Sequence, residues 1–157
     1  MKQNRRFSMA DITFKKEVLR EAIASGKIEL KPSTIARIRK GTIAKGDPIA
    51  AAEVAAVLAA KNTPQTLPFC HPIPITNVVT EGKIAASSIT VESTVKTTAK
   101  TGVEMEALTA ASTYLLTVWD MVKQYEKDAD GQYPTTRIEE IHVAKKIKRS
   151  PEEASRD

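Results

Sequence analysis

Apolar and polar residues change rhythm several times along this chain, and each change marks an element. Ile12, Phe14, Val18, Ile28 and Leu30 give an extended pattern between residues 12 and 30, although LREAIASGK also fits a short helix ended by Gly26. We read this stretch as strand. Pro32-Ser33 opens a short helix from Thr34 to Lys40, which Gly41 stops. Asp47-Pro48 is a stronger start, with Asp as N-cap and Pro at the first helical position. The alanine-rich run that follows, to about Ala60, has high helix propensity and little bulk, so another element can approach it closely. Between Asn62 and Pro74 four prolines remove backbone donors and favour extended geometry, so no regular element is expected there.

Alternation with period two returns in Ile75 to Val79 and Ile84 to Thr98, predicting an antiparallel hairpin that turns about Glu81-Gly82-Lys83. Gly102 precedes the longest helix, about Glu104 to Lys127, with Leu108, Ala111, Leu115, Val118, Val122 and Tyr125 as its buried stripe. A last strand, about Arg137 to Lys146, closes the order. Strand, helices, hairpin, long helix and strand predict an α+β sandwich: a mostly antiparallel sheet packed against helices, with a ferredoxin-like β-α-β-β-α-β core. No repeat or linker splits the chain. Residues 9–149 are expected to form one domain between flexible tails at 1–8 and 150–157, and Met9 could itself be a start.

Composition narrows the class. The chain has 157 residues, 41% hydrophobic and 27% charged, which suits a folded domain with its own core. The single cysteine, Cys70, excludes an internal disulfide and fits a reducing, cytoplasmic setting. The longest stretch free of charge, Asn62 to Thr80, is interrupted by Pro64, Pro68, Pro72 and Pro74, so no membrane span is expected. The opening MKQNRRFSMADITF has no apolar stretch behind its basic residues and does not resemble a secretory signal. Net charge is +5, but Lys2, Arg5, Arg6, Lys145, Lys146, Lys148 and Arg149 lie near the ends, and without those seven the 24 basic residues fall to 17 against 19 acidic ones. With only 4% aromatic residues and a terminal basic excess, the chain does not read as a nucleic-acid binder. Small anionic ligands remain open.

Four places can carry chemistry. Prolines on both sides hold Cys70 and His71 in a stiff loop that presents side chains, or merely turns the chain from helix to strand with Cys70 buried. A metal site is weaker, since only His142 could add a second nitrogen. Thr101-Gly102-Val103-Glu104-Met105-Glu106 leads into the long helix, where the macrodipole alone would stabilise the two carboxylates, and an i, i+2 pair points in different directions. Asp120 and Lys123 can touch at i, i+3 as an ordinary surface pair, or apolar Trp119, Met121 and Val122 could desolvate them and move a pKa toward acid/base use. Arg20, Lys45 and Lys146 are isolated cations, each weak alone. Glu106 and Asp120 share a helix face but stand roughly 21 Å apart along the axis, so one copy of the helix cannot bring both to one atom.

Taken together these segments form a recognisable set. KGD at 45–47, LPFCHPIPI at 67–75, KTGVEMEALTAAS at 100–112 and WDMVK at 119–123 occur in an order and spacing that resembles the molybdenum cofactor biosynthesis protein C family, the cyclic pyranopterin monophosphate synthases, over about residues 9–147. The resemblance implies a lyase of the molybdopterin pathway. Such an enzyme rearranges 3′,8-cyclo-7,8-dihydroguanosine triphosphate, itself made from GTP by a radical enzyme, into the pyranopterin and closes a cyclic phosphate, releasing pyrophosphate. It also implies ferredoxin-type subunits assembled as a hexamer, a trimer of dimers, with active sites at the dimer interface. By the same resemblance Asp120 and Lys123 are the acid/base pair, and Lys45 and Lys146 are active-site lysines. Arg20, Cys70, His71, Glu104, Met105 and Glu106 are implied substrate contacts. No cofactor or protein-bound metal is implied, although Mg²⁺ could accompany the triphosphate. The family commonly follows its last-strand lysine with Gly-Gly-Lys-Ser-Gly, whereas Lys146 is followed here by Ile147-Lys148-Arg149-Ser150. The competing reading is a noncatalytic nucleotide-binding or regulatory protein on the same fold.

Overall fold

The structure, a computed structural model, describes residues 7–154. Its elements are β1 (Val18–Glu29), α1 (Pro32–Lys40), α2 (Pro48–Lys61), α3 (Thr63–Thr66), β2 (Ile75–Ile84), β3 (Ser88–Ala99), α4 (Glu104–Glu126), β4 (Arg137–Arg149) and α5 (Pro151–Ala154). The four strands form one sheet in the order β2-β3-β1-β4 with every neighbouring pair antiparallel. This is the expected α+β, ferredoxin-like arrangement. Strand, rather than the competing helix, occupies residues 18–29, because Ala22, Ala24 and Ile28 alternate into the core while Glu21, Ile23, Ser25 and Lys27 point away.

The helices cover one face of the sheet. Asp47 caps α2 as expected, its Oδ1 accepting from the Ile49 and Ala50 amides at 2.9 and 3.3 Å, with Pro48 in the first turn. Ala52, Ala56 and Ala60 make a fully buried stripe on α2, and α4 offers Ala107, Ala110 and Ala111. These short side chains let the two helices approach closely. Tyr114, Leu115, Val118 and Val122 then continue α4 over Ile28, Val91 and Val95 of the sheet.

Three expectations need correction. The hairpin does not turn at Glu81-Gly82-Lys83: β2 runs on to Ile84, and the chain reverses over residues 85–87, where the Ala85 amide bonds to the Ser88 carbonyl. Gly82 is a strand residue opposite Val91, and its missing Cβ makes room for the Tyr114 hydroxyl, which a side chain there would strike. The proline-rich segment contains a helical turn, α3, with Pro64 at its second position. Beyond the expected end at Lys146, β4 extends to Arg149 and is followed by α5. Of the tails proposed from sequence, residues 1–6 and 155–157 lie outside the described residues.

The end of α4 carries a buried acid that a purely apolar stripe does not foretell. Glu126 is completely buried, and its carboxylate accepts from the Lys31 amide through both oxygens, at 3.2 Å each, and from the Thr136 hydroxyl. Lys31 reciprocates by donating Nζ to the carbonyls of Tyr125 and Lys127, at 3.3 and 3.1 Å, which caps the C-terminus of α4. One carboxylate therefore ties the start of α1, the end of α4 and the approach to β4. Glu126→Ala should cost about 2 to 3 kcal/mol, because it strands two buried donors. Urea unfolding checks this, and an unchanged midpoint would show that the clasp contributes nothing.

Candidate active site

The residues singled out from sequence gather at the two ends of α4. At its N-terminus, Ala10, Phe69, Cys70, His71, Ile73, Thr101, Gly102, Glu104, Met105 and Glu106 line a cleft of about 370 Å³. The 67–72 loop borders this helix start, with the Cys70 amide bonding to the Leu67 carbonyl at 2.9 Å and Thr97 Oγ1 of β3 donating to the Pro74 carbonyl at 2.6 Å. Cys70 and His71 are half-buried and face the cleft, so the loop presents them rather than merely turning the chain.

Glu104 and Glu106 take different environments, as their i, i+2 spacing requires. Glu104 forms an ion pair with Lys146 of β4. Burial pushes its carboxyl up, but the hydrogen bond from Lys146, its backbone and the charges of Lys146 and Arg20 outweigh this and hold it below its ordinary value. Glu106 is only 2% exposed, and burial, reinforced by the Glu104 charge, raises its pKa. Burial also raises the Cys70 thiol, with the Glu106 charge adding to the effect, so Cys70 is a protonated wall of the cleft and not a thiolate nucleophile. Gly102 lies in the candidate segment 101–106, and the Glu104 carboxylate folds back onto the space where its Cβ would stand. The KTG string placed it beside the helix but gave no sign of that contact.

Lys146 reaches Glu104 because of a bulge. Ala24 pairs with Val143 and Ile23 with Lys145, which leaves Ala144 unpaired and reverses the alternation beyond it. Lys146 thereby stands opposite Ala22, on the helix-covered face, while Lys145 falls on the other. Without the extra residue the two lysines would exchange faces.

At the other end of α4, Asp120 sits between two ammonium groups. Lys123 Nζ lies 2.7 Å from Oδ1, while Lys45 Nζ lies 2.9 Å from Oδ2 and 2.8 Å from the Asp120 carbonyl. The turn before α2 delivers Lys45, with Gly46 at φ +104°, and Tyr125 Oη accepts from the neighbouring Ala44 amide at 2.9 Å. The desolvation proposed from the flanking apolar residues does not govern Asp120, whose side chain is 58% exposed. Hydrogen bonds from Lys123 and then Lys45 instead pull its pKa down to about 2, and Asp120 raises that of Lys123. The two partners are driven away from neutrality, so at neutral pH the carboxylate is ionised and Lys123 is protonated. Tyr133, which no sequence signal marked, packs edge-on against Trp119 at 5.5 Å and adds to the rise at Lys123.

The MoaC family model matches residues 9–148. The chain belongs to the MoaC family. A protein of Sulfolobus acidocaldarius named as a probable cyclic pyranopterin monophosphate synthase is 57% identical over 140 residues, 89% of this chain and 98% of that protein. Proteins of the same name from Methanococcoides burtonii and Sulfurisphaera tokodaii are 53% and 54% identical over 140 residues, covering 89% of this chain and 88% and 93% of their own lengths. The span matched by the MoaC model contains every residue of both clusters.

The charge lock at Asp120 has a direct test. Its carboxyl should titrate with a midpoint near pH 2 by carbon NMR, the two ion pairs being intact above its ordinary value of 3.8 and lost as pH falls through about 2. Lys45→Ala should raise that midpoint toward 3.8. An unmoved midpoint would mean that Lys45 does not hold the carboxylate.

Proposed function

We infer that this chain is a cyclic pyranopterin monophosphate synthase, a lyase of molybdenum cofactor biosynthesis. In this reading it converts 3′,8-cyclo-7,8-dihydroguanosine 5′-triphosphate into cyclic pyranopterin monophosphate and pyrophosphate in the cytoplasm. The observation that carries the reading is the agreement with relatives of that name over about nine-tenths of the chain, within which both charged clusters fall. The residue types suit the chemistry. Ring opening and reclosure require proton transfers at a few neighbouring atoms, and Lys123 enters as a proton donor oriented by ionised Asp120. Phosphate closure builds negative charge on the departing pyrophosphate, which Lys45, Lys146 and Arg20 offset. Glu104, Met105, Glu106, Cys70 and His71 hold the remainder of the nucleotide in the cleft at the start of α4. No resident cofactor takes part, and Mg²⁺ arrives only with the triphosphate.

The placement of the clusters supports an assembled site. Acid, base and phosphate-binding groups must act on one small molecule, yet Glu106 and Asp120 lie roughly 21 Å apart along a rigid helix. We propose that the α4 start of one protomer meets the Asp120 cluster of a second, in a homo-oligomer built as a trimer of dimers.

Incubation of the full chain with the cyclic nucleotide should release pyrophosphate and form the cyclic product. Binding without release would instead identify a noncatalytic nucleotide-binding protein. Lys123→Ala should reduce turnover at least about a hundredfold with unchanged assembly, and near-normal turnover would remove Lys123 from the catalytic groups.

Subunit mixing tests the shared site. Lys146→Ala and Lys123→Ala proteins, each inactive alone, should regain about a quarter of wild-type activity after joint refolding, since half the dimers are mixed and one of their two sites is intact. Lys145→Ala, on the opposite face of β4, serves as the active control. Failure of the mixed protein to recover, with mixed dimers demonstrated, would place each complete site within one protomer.

A further inference from the structure

Lys45 reaches Asp120 from a turn whose own contacts leave its middle loosely held. The turn covers residues 43–46 and is closed by the Gly46 amide bonding to the Ile43 carbonyl at 3.1 Å. Ile43 is buried on one side, and Asp47 on the other is tied to the first amides of α2. Ala44, Lys45 and Gly46 between them are exposed. The closing bond of such a turn joins its first and last residues and gives the amide of the second no partner. Tyr125 of α4 supplies that partner, its Oη accepting from the Ala44 amide at 2.9 Å, one residue before Lys45.

The ring that carries this hydroxyl is itself fixed. Tyr125 is half-buried against the core, and the guanidinium carbon of Arg37 lies 4.9 Å from its ring centroid. Arg37 belongs to the last turn of α1, and its carbonyl accepts from the Thr42 amide at 3.0 Å. The end of α1, the 43–46 turn and the end of α4 therefore meet around one aromatic side chain. Side chains of an α-helix lean toward its N-terminus, so the Tyr125 hydroxyl stands back along α4 toward Asp120, five residues earlier. From a backbone pinned there, Lys45 Nζ reaches the Asp120 carbonyl and Oδ2 together, at 2.8 and 2.9 Å. A long lysine on an exposed turn loses rotamer freedom when it pairs, and an anchored backbone leaves less to be ordered.

We propose that Tyr125 is a positioning residue of the Asp120 cluster, setting through the Ala44 amide the backbone from which Lys45 reaches the carboxylate. Tyr125 acts through Lys45 and not on a reacting atom. Its effect on turnover rests on the synthase reading, whereas the geometry that it sets is measurable without substrate. A tyrosine that merely filled space would affect stability alone, because its ring, and not its hydroxyl, supplies the packing.

Tyr125→Phe separates the two, since it deletes the hydroxyl and keeps the ring beside Arg37. Carbon NMR titration of Asp120 in the full chain reads the consequence. The wild-type midpoint lies near 2, held down by Lys123 and Lys45. In Tyr125→Phe it should rise toward 3.8, in the same direction as in Lys45→Ala. Adding Tyr125→Phe to Lys45→Ala should move it no further, because the hydroxyl acts only through that lysine. Turnover of the cyclic nucleotide by Tyr125→Phe should fall about tenfold. An unmoved Asp120 midpoint, or a double variant in which the two rises add, would overturn the positioning role. The two readings fail separately. A wild-type chain that releases no pyrophosphate, with the midpoint shift present in Tyr125→Phe, keeps the positioning role and removes the synthase, and wild-type turnover with an unmoved midpoint does the reverse.

Discussion

An α-helix rises 1.5 Å per residue whatever its sequence, and α4 is locked into that geometry by what surrounds it. Its interior face is set among the alanines of α2 and the branched residues of β1 and β3, and its last turn is held by the Glu126 clasp. Its two charged ends therefore cannot relax toward each other. Each has found local partners instead, Lys146 for Glu104 at one end and Lys45 with Lys123 for Asp120 at the other. The separation of the clusters is thus a property of the core.

The same core decides where Lys45 can stand. Ala52, Ala56 and Ala60 let α2 lie close to α4, and Asp47 fixes the first turn of α2 at a defined residue. Lys45, two positions earlier, then reaches the Asp120 carbonyl as well as its carboxylate. A bulkier stripe on α2 would move the turn outward and break both contacts, although nothing polar had been altered. Interior volume and site electrostatics are coupled in this fold through the short distance from Asp47 to Lys45.

Much of this was legible in the residues, and what escaped did so for physical reasons. Period-two alternation located β3 and Asp47-Pro48 located α2, because burial and capping leave local signatures, whereas the mixed pattern over 12–30 left β1 open to a helix because its buried positions include the small Ala22 and Ala24. Gly82 looked like a turn because glycine serves turns, but here the absence of a side chain accommodates Tyr114, a residue more than thirty positions away. The residue types of the site were visible, whereas their protonation was not. Apolar neighbours of Asp120 suggested desolvation, yet Trp119 and Val122 turn to other sides of the helix, and an exposed carboxylate flanked by two ammoniums responds to charge rather than burial. Glu126 escaped for the opposite reason, since its partners are a backbone amide of Lys31 and a hydroxyl of Thr136, and neither changes the hydropathy pattern.

The run Lys145-Lys146-Ile147-Lys148-Arg149 shows most clearly how a pattern can underdetermine a site. With strict alternation counted from Val143, Lys145, Ile147 and Arg149 would share the face that carries α4, and that face would gain an apolar side chain between two charges. One unpaired residue, Ala144, shifts the phase and sets Lys146 and Lys148 there instead, opposite Ala22 and Arg20. Ile147 then falls on the opposite face, opposite Glu21. Neither lysine run nor bulge creates the cationic row alone. The row exists because the backbone irregularity and the spacing of the lysines are in register, and it extends the positive wall from the Glu104 contact to a cleft around Arg20.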